Sequence, residues 1–141
     1  MSRPLSSLEQ SARARLITPG YEELPLVVTL RYESADPLAV HIVFPAEVSA
    51  DDTGVTWTFS RLLLEEGLEH PAGIGEVHLW PCGPTHTVVE LHSPYGLAVV
   101  RFRTGQLQRF LHRSYGVVAP GMEDLGPEVE RGLALLLGGV N

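Results

Sequence analysis

Val55-Thr56-Trp57-Thr58-Phe59 alternates apolar and polar residues with period two, the pattern of a half-buried strand. Ser60 follows with the chemistry of a helix N-cap. Arg61-Leu62-Leu63-Leu64-Glu65-Glu66-Gly67-Leu68 then reads as a short helix with Gly67 near its end. His70-Pro71-Ala72-Gly73-Ile74-Gly75 turns the chain into a second strand, Glu76-Val77-His78-Leu79-Trp80-Pro81. The stretch from Val55 to Pro81 thus predicts a strand, a helix and a strand, and no catalytic motif lies in it. It holds both tryptophans, Trp57 and Trp80, which are expected in the core.

Strand signals continue on both sides. Arg13 to Ile17 is a weak first strand. In Leu24 to Tyr32, the side chains Leu24, Leu26, Val28, Leu30 and Tyr32 fall on one face. Ser34-Ala35-Asp36-Pro37 predicts a turn into a third strand, Leu38 to Phe44. Asp51-Asp52-Thr53-Gly54 turns into the fourth strand, Val55 to Phe59. Val77–Pro81, Thr87–His92 and Leu97–Phe102 make the fifth to seventh, with Ser93-Pro94-Tyr95-Gly96 as the hairpin between the last two. Helices come late. Thr104 is placed as the cap of a segment in which Leu107, Phe110 and Leu111 recur at helical spacing. Val118-Ala119-Pro120-Gly121 reads as a rigid turn, with Gly121 suited to positive φ. A terminal helix is expected over Gly126 to Leu137.

Seven short strands and three helices predict an α+β fold, a strongly curved, mostly antiparallel sheet or barrel. The 141 residues suit one domain, with residues 1–12 expected as a flexible N-terminal extension. A net charge of −7 disfavours nonspecific binding to nucleic acid or an anionic membrane. One cysteine, Cys82, excludes an internal disulfide and fits a reducing compartment. The N-terminus has no apolar run of signal-peptide length, and Leu133–Leu137 is too short to span a bilayer. A cytoplasmic protein without direct membrane insertion is expected.

The candidate chemistry is thin. His41, His78, His86 and His92 lie on or beside strands, but no pair has helical zinc spacing, so scattered histidines are the better account and no metal is expected. Cys82 precedes His86 by four residues but sits in Pro81-Cys82-Gly83-Pro84, which reads as an inert loop cysteine. The pairs Glu22-Glu23 and Glu65-Glu66 read as solvated faces. No catalytic residue and no cofactor follow. Arg101 and Arg103 share one face of the seventh strand, and Arg109 and Arg113 stand four apart on the next helix. A surface for single-stranded nucleic acid is one reading; pairing with local acids is the favoured one. Leu62, Leu63 and Leu64 are consecutive, so one short helix cannot turn all three to a single core. An apolar side chain left outside marks an interface with a partner or a second copy. Leu62, Leu63, Leu64 and Gly121 are therefore the candidate interaction residues.

Read in order, Leu30-Arg31-Tyr32, Ala35 to His41, Trp57 to Leu63, Gly67-Leu68, Pro71-Ala72-Gly73, Gly75 to Pro81 and Ser93 to Gly96 form a pattern. It ends with Phe110-Leu111, Pro120-Gly121 and the terminal leucine-rich segment. The pattern resembles the SsgA-like proteins of sporulating actinobacteria, over nearly the whole chain after Arg13. The chain departs from the family pattern at Leu38, where an aromatic is usual, at Ser60 (Ala), at Leu62 (an acid) and at Glu76 (Asp). The resemblance implies a non-enzymatic regulator of sporulation-specific cell division, of the SsgB type. Such proteins help position or activate the tubulin-like GTPase FtsZ at septa, or influence peptidoglycan remodelling. It also implies a fold like the whirly single-strand-binding architecture, a homotrimer, and partners among FtsZ and other division proteins.

Overall fold

The computed structural model describes residues 6–48 and 54–123. The elements are β1 (Ser7–Ile17), β2 (Glu23–Glu33), β3 (Ala39–Phe44), β4 (Val55–Ser60), α1 (Arg61–Gly67), β5 (Val77–Cys82), β6 (His86–Ser93), β7 (Gly96–Arg103) and α2 (Thr104–Val117). One sheet holds all seven strands in the order β4-β3-β2-β1-β7-β6-β5, every neighbour antiparallel. Two meanders, β1–β4 and β5–β7, are therefore welded where β1 pairs with β7. α1 carries the chain from one edge strand, β4, to the other, β5.

The sheet curls into a half-barrel. Side chains from strands far apart in the order, Trp57 of β4 and Leu91 of β6, line one apolar cleft of about 160 Å³. Both helices cover the face that carries the core. Leu26, Val28, Leu30 and Tyr32 of β2 are buried there, as the alternation predicts, while Leu24 stays 44% exposed near the strand end. α2 buries Leu107, Phe110, Leu111 and Ser114, a stripe at helical spacing. Burying each large apolar side chain contributes about 1.5–3 kcal/mol, so this stripe and the strand residues facing it hold the helix on the sheet. α1 approaches β5 closely: a Cβ on Gly67 would stand 2.4 Å from Cβ of Leu79, a separation only glycine permits. The outer edge of β5 is closed by Ala72, whose N–H and C=O both bond Leu79 at 2.9 Å. This protects an edge strand that would otherwise offer free pairing groups.

Four expectations change. Residues 7–12 are not a flexible extension but the first half of β1, paired with β2 over an eleven-residue register. Only Leu8 and Ala12 are buried in this half, so its apolar signal is weak; pairing, not patterning, orders it. Thr104 does not cap α2: it is the first helical residue, Arg103 holds the cap position without a side-chain bond, and the Thr104 hydroxyl meets Thr87 Oγ1 at 2.8 Å. Trp80 is half-buried and outside the core cluster, because Val77 and Leu79 take the inward positions of β5; Trp57 packs against the core partly buried. Cys82 is the last residue of β5, exposed and opposite His86, rather than in a loop. The helix expected over residues 126–137, the Asp51–Thr53 part of the β3–β4 turn and the first five residues lie outside the described residues. The two α-helices expected within the described residues are both present, and the third of the three expected falls outside them.

Candidate functional site

The β4–α1 junction aims a charged side chain inward. Ser60 is extended and its Oγ accepts from the Leu63 N–H at 3.2 Å, capping α1. Arg61, the first helical residue, is only 3% exposed. Its guanidinium lies between two rings, 4.8 Å from the centroid of Tyr32 and 5.1 Å from that of Tyr115. Arg61 Nη1 donates to the carbonyls of Ser114 at 3.2 Å and Val118 at 2.7 Å. Nη2 pairs with Glu123 at 2.9 Å. α2 has no basic residue in its last turn, so Arg61 supplies the cation at its negative end from another element.

This charge is buried and fully engaged, as a stable buried ion must be. Burial raises the Tyr32 hydroxyl above the usual tyrosine range, with nearby Arg61 opposing, and Tyr32 donates to the Pro37 carbonyl at 2.8 Å. Burial likewise raises Tyr115, reinforced by the Glu65 carboxylate. The hydrogen bond from Arg61 holds the Glu123 carboxyl below its ordinary value.

Three apolar side chains beside this buried arginine are exposed. Leu62 is 59% exposed, Leu38 50% and Met122 61%. Each lies next to an Arg61 contact: the Leu38 carbonyl accepts the Arg61 N–H at 2.8 Å, and Met122 adjoins Glu123. The three leucines of α1 divide as helical geometry requires. Leu64 is 2% exposed in the core, Leu63 packs against it partly buried, and Leu62 faces out. Gly121 sits at φ 83° in the turn after Val118, where a side chain would point into open space. Leu38 and Met122 were not among the sequence candidates. The contacts that gather them with Leu62 run between residues distant in the chain.

The other polar candidates separate. His41 is buried, with Nδ1 2.8 Å from Thr58 Oγ1 and Asp36 3.7 Å from Nε2. His78 and His92 meet edge to face at 5.3 Å, and His92 pairs with Glu90 at 2.6 Å. His86 bonds Thr85. Among the described residues no three His, Cys, Asp or Glu side chains are placed to hold a metal. No helix among them is long and apolar enough to cross a membrane. Arg101 and Arg103 face outward beside the buried Phe102, and Arg109 and Arg113 lie on the exposed side of α2. The expected pairing with local acids is found among the described residues only at Arg101, which meets Glu23. Arg113 bonds the Gln10 side chain at 2.9 Å.

A curled seven-stranded antiparallel sheet, covered on one face by helices and locked by a buried arginine, defines the class of fold. The family model described as Streptomyces sporulation and cell division protein, SsgA, matches residues 26–123, and the chain belongs to this family. Sporulation-specific cell division protein SsgB of Salinispora tropica is 41% identical over 137 residues, 95% of each chain. SsgB of Streptomyces coelicolor is 37% identical over 126 residues, 87% of this chain and 90% of that one. A solved SsgA-like sporulation-specific cell division protein from Thermobifida fusca superposes with a TM-score of 0.78 at 33% identity, covering 97% of this chain and 100% of that one.

Proposed function

We propose that this protein is an interaction protein of sporulation-specific cell division. It helps position or activate FtsZ at future septa and performs no chemistry of its own. The single observation that carries the reading is likeness over nearly the full length to proteins named sporulation-specific cell division protein SsgB. The exposed apolar set Leu38, Leu62 and Met122 supports it, because surfaces and not a catalytic constellation would perform such work. In this reading the protein acts in the cytoplasm at septa, through the exposed Leu62 with the partly buried Leu63, and through the Gly121 turn; Leu64, expected to share this role, is taken up by the core. Assembly as a trimer of whirly-type subunits belongs to the same proposal. Co-sedimentation with FtsZ polymers tests it: binding or altered polymer assembly is expected. Unchanged polymers, together with diffuse localisation of a tagged copy during sporulation, would refute it.

A further inference from the structure

Six of the ten arginines gather on one side of a chain whose net charge is −7. Arg13 and Arg15 of β1 and Arg101 and Arg103 of β7 leave the same face of the sheet, because Ala14 and Phe102 between them are buried. The register sets Arg15 directly opposite Arg101, and His86 opposite Arg103. Arg109 and Arg113 extend the group onto α2. Together they line two adjoining clefts of about 820 and 490 Å³ that share Arg103 and Gln106.

Among the described residues, no aspartate or glutamate lines either cleft. Among the described residues, Arg13, Arg15, Arg103 and Arg109 form no ion pair. Like charges facing each other across a ladder cost stability; Glu23 offsets Arg101, while Arg15 opposite it has no acid of its own among the described residues. The first turn of α2, Thr104 to Gln106, opens into the same space without an acidic residue or a side-chain cap. Its positive end adds to the field.

We propose that this cleft binds an acidic polypeptide segment, its carboxylates gripped by the arginine forks. Guanidinium and carboxylate match in two parallel hydrogen bonds. Gln108 on the wall offers a partner to peptide groups. Single-stranded nucleic acid fits less well. No Phe, Tyr or Trp lines the clefts, so the base stacking that supports strand binding is missing. The proposal goes beyond the division reading and uses residues distinct from those around Arg61.

The experiment is fluorescence anisotropy of a fluorescein-labelled oligoglutamate peptide with the full chain. Saturable binding is expected, weakening about tenfold or more between roughly 50 and 200 mM salt, as charge-driven binding does. Arg13→Gln with Arg103→Gln should weaken it about tenfold or more without lowering the melting temperature, since like-charge repulsion is relieved. Arg15→Gln with Arg109→Gln should do the same, so one misfolded variant does not decide the matter. Arg31→Gln, at a residue paired with Glu33 away from the cleft, should leave binding unchanged. Absence of binding at low salt, or full binding by both double variants, would overturn the proposal. Tighter binding of an oligothymidylate of equal length would assign the cleft to nucleic acid and overturn it. A smaller sedimenting species for either double variant would assign the cleft to a second copy of the chain and overturn it equally.

Discussion

Arg61, at the start of α1, donates from Nη1 to the carbonyl of Val118 at 2.7 Å, just past the end of α2. One side chain thereby caps a helix to which it does not belong. Its other bonds, to Ser114 and Glu123, pin the turn that follows. The apolar residues Leu38, Leu62 and Met122 are consequently set around a rigid centre and not on a loose loop.

Arg61→Ala should destabilise the protein by about 3–5 kcal/mol, because it leaves buried carbonyls and a carboxylate without their partner. Urea unfolding measures this. A midpoint like that of the wild type would mean that the guanidinium is not a structural lock.

Glu123 gives the lock a pH dependence. Its folded pKa is lowered from 4.5 by the Arg61 hydrogen bond, so the native state binds fewer protons than the unfolded state. The ion pair's contribution is complete above about 4.5 and is lost as pH falls through the lower folded value. Glu123→Gln should flatten this part of the stability-against-pH curve. An identical acid slope in wild type and variant would assign the effect to other carboxylates.

Leu62 and Leu64 are two residues apart and should behave oppositely. Leu64→Ala opens a cavity in the core and should cost about 2–5 kcal/mol. Leu62→Glu should change stability by less than about 0.5 kcal/mol, as exposed substitutions do. It should nevertheless weaken association with division partners or between copies, measured by sedimentation. Wild-type association by Leu62→Glu would remove this face from the candidate site.

Gly67→Ala should destabilise by about 1–3 kcal/mol, since its Cβ would overlap that of Leu79 and force α1 off β5. Thermal melting reads the effect. No shift would show that helix and strand can part without cost.

Gly121→Arg meets open space, so crowding is not the issue. At φ 83° any L side chain is strained by roughly 1–2 kcal/mol, and a modest drop in melting temperature is expected. Loss of partner binding beyond that drop would support Gly121 as part of the interaction surface. Unaltered septation with the variant would argue against it.

Much of the local structure is legible in the sequence. The β4–α1–β5 stretch reads directly because each signal is local: alternation from Val55 to Phe59, a serine cap, and a glycine where the helix meets Leu79. The division of the α1 leucines is likewise a matter of 100° steps around one helix. Trp80 misleads because a large aromatic side chain suggests burial, whereas strand parity puts Leu79 inside. The first half of β1 escapes a local reading because Ser7 to Ala12 carries little apolar contrast; pairing with β2 orders it.

The candidate sites belong mainly to the other category. Arg13 and Arg15 join Arg101 and Arg103 only because β1 pairs with β7, across more than eighty residues of intervening chain. Arg61 looks like an ordinary helix-surface arginine until α2 and the turn at Val118 enclose it. Outside the first half of β1 and the placing of Trp80, the sequence by itself determined which of the described segments are strands and helices and which face of each is apolar, since these follow from side-chain period and local backbone preference. Only the tertiary structure decided which charges face each other and which are buried. Those are set by long-range pairing and register, for which a single sequence carries no local signal.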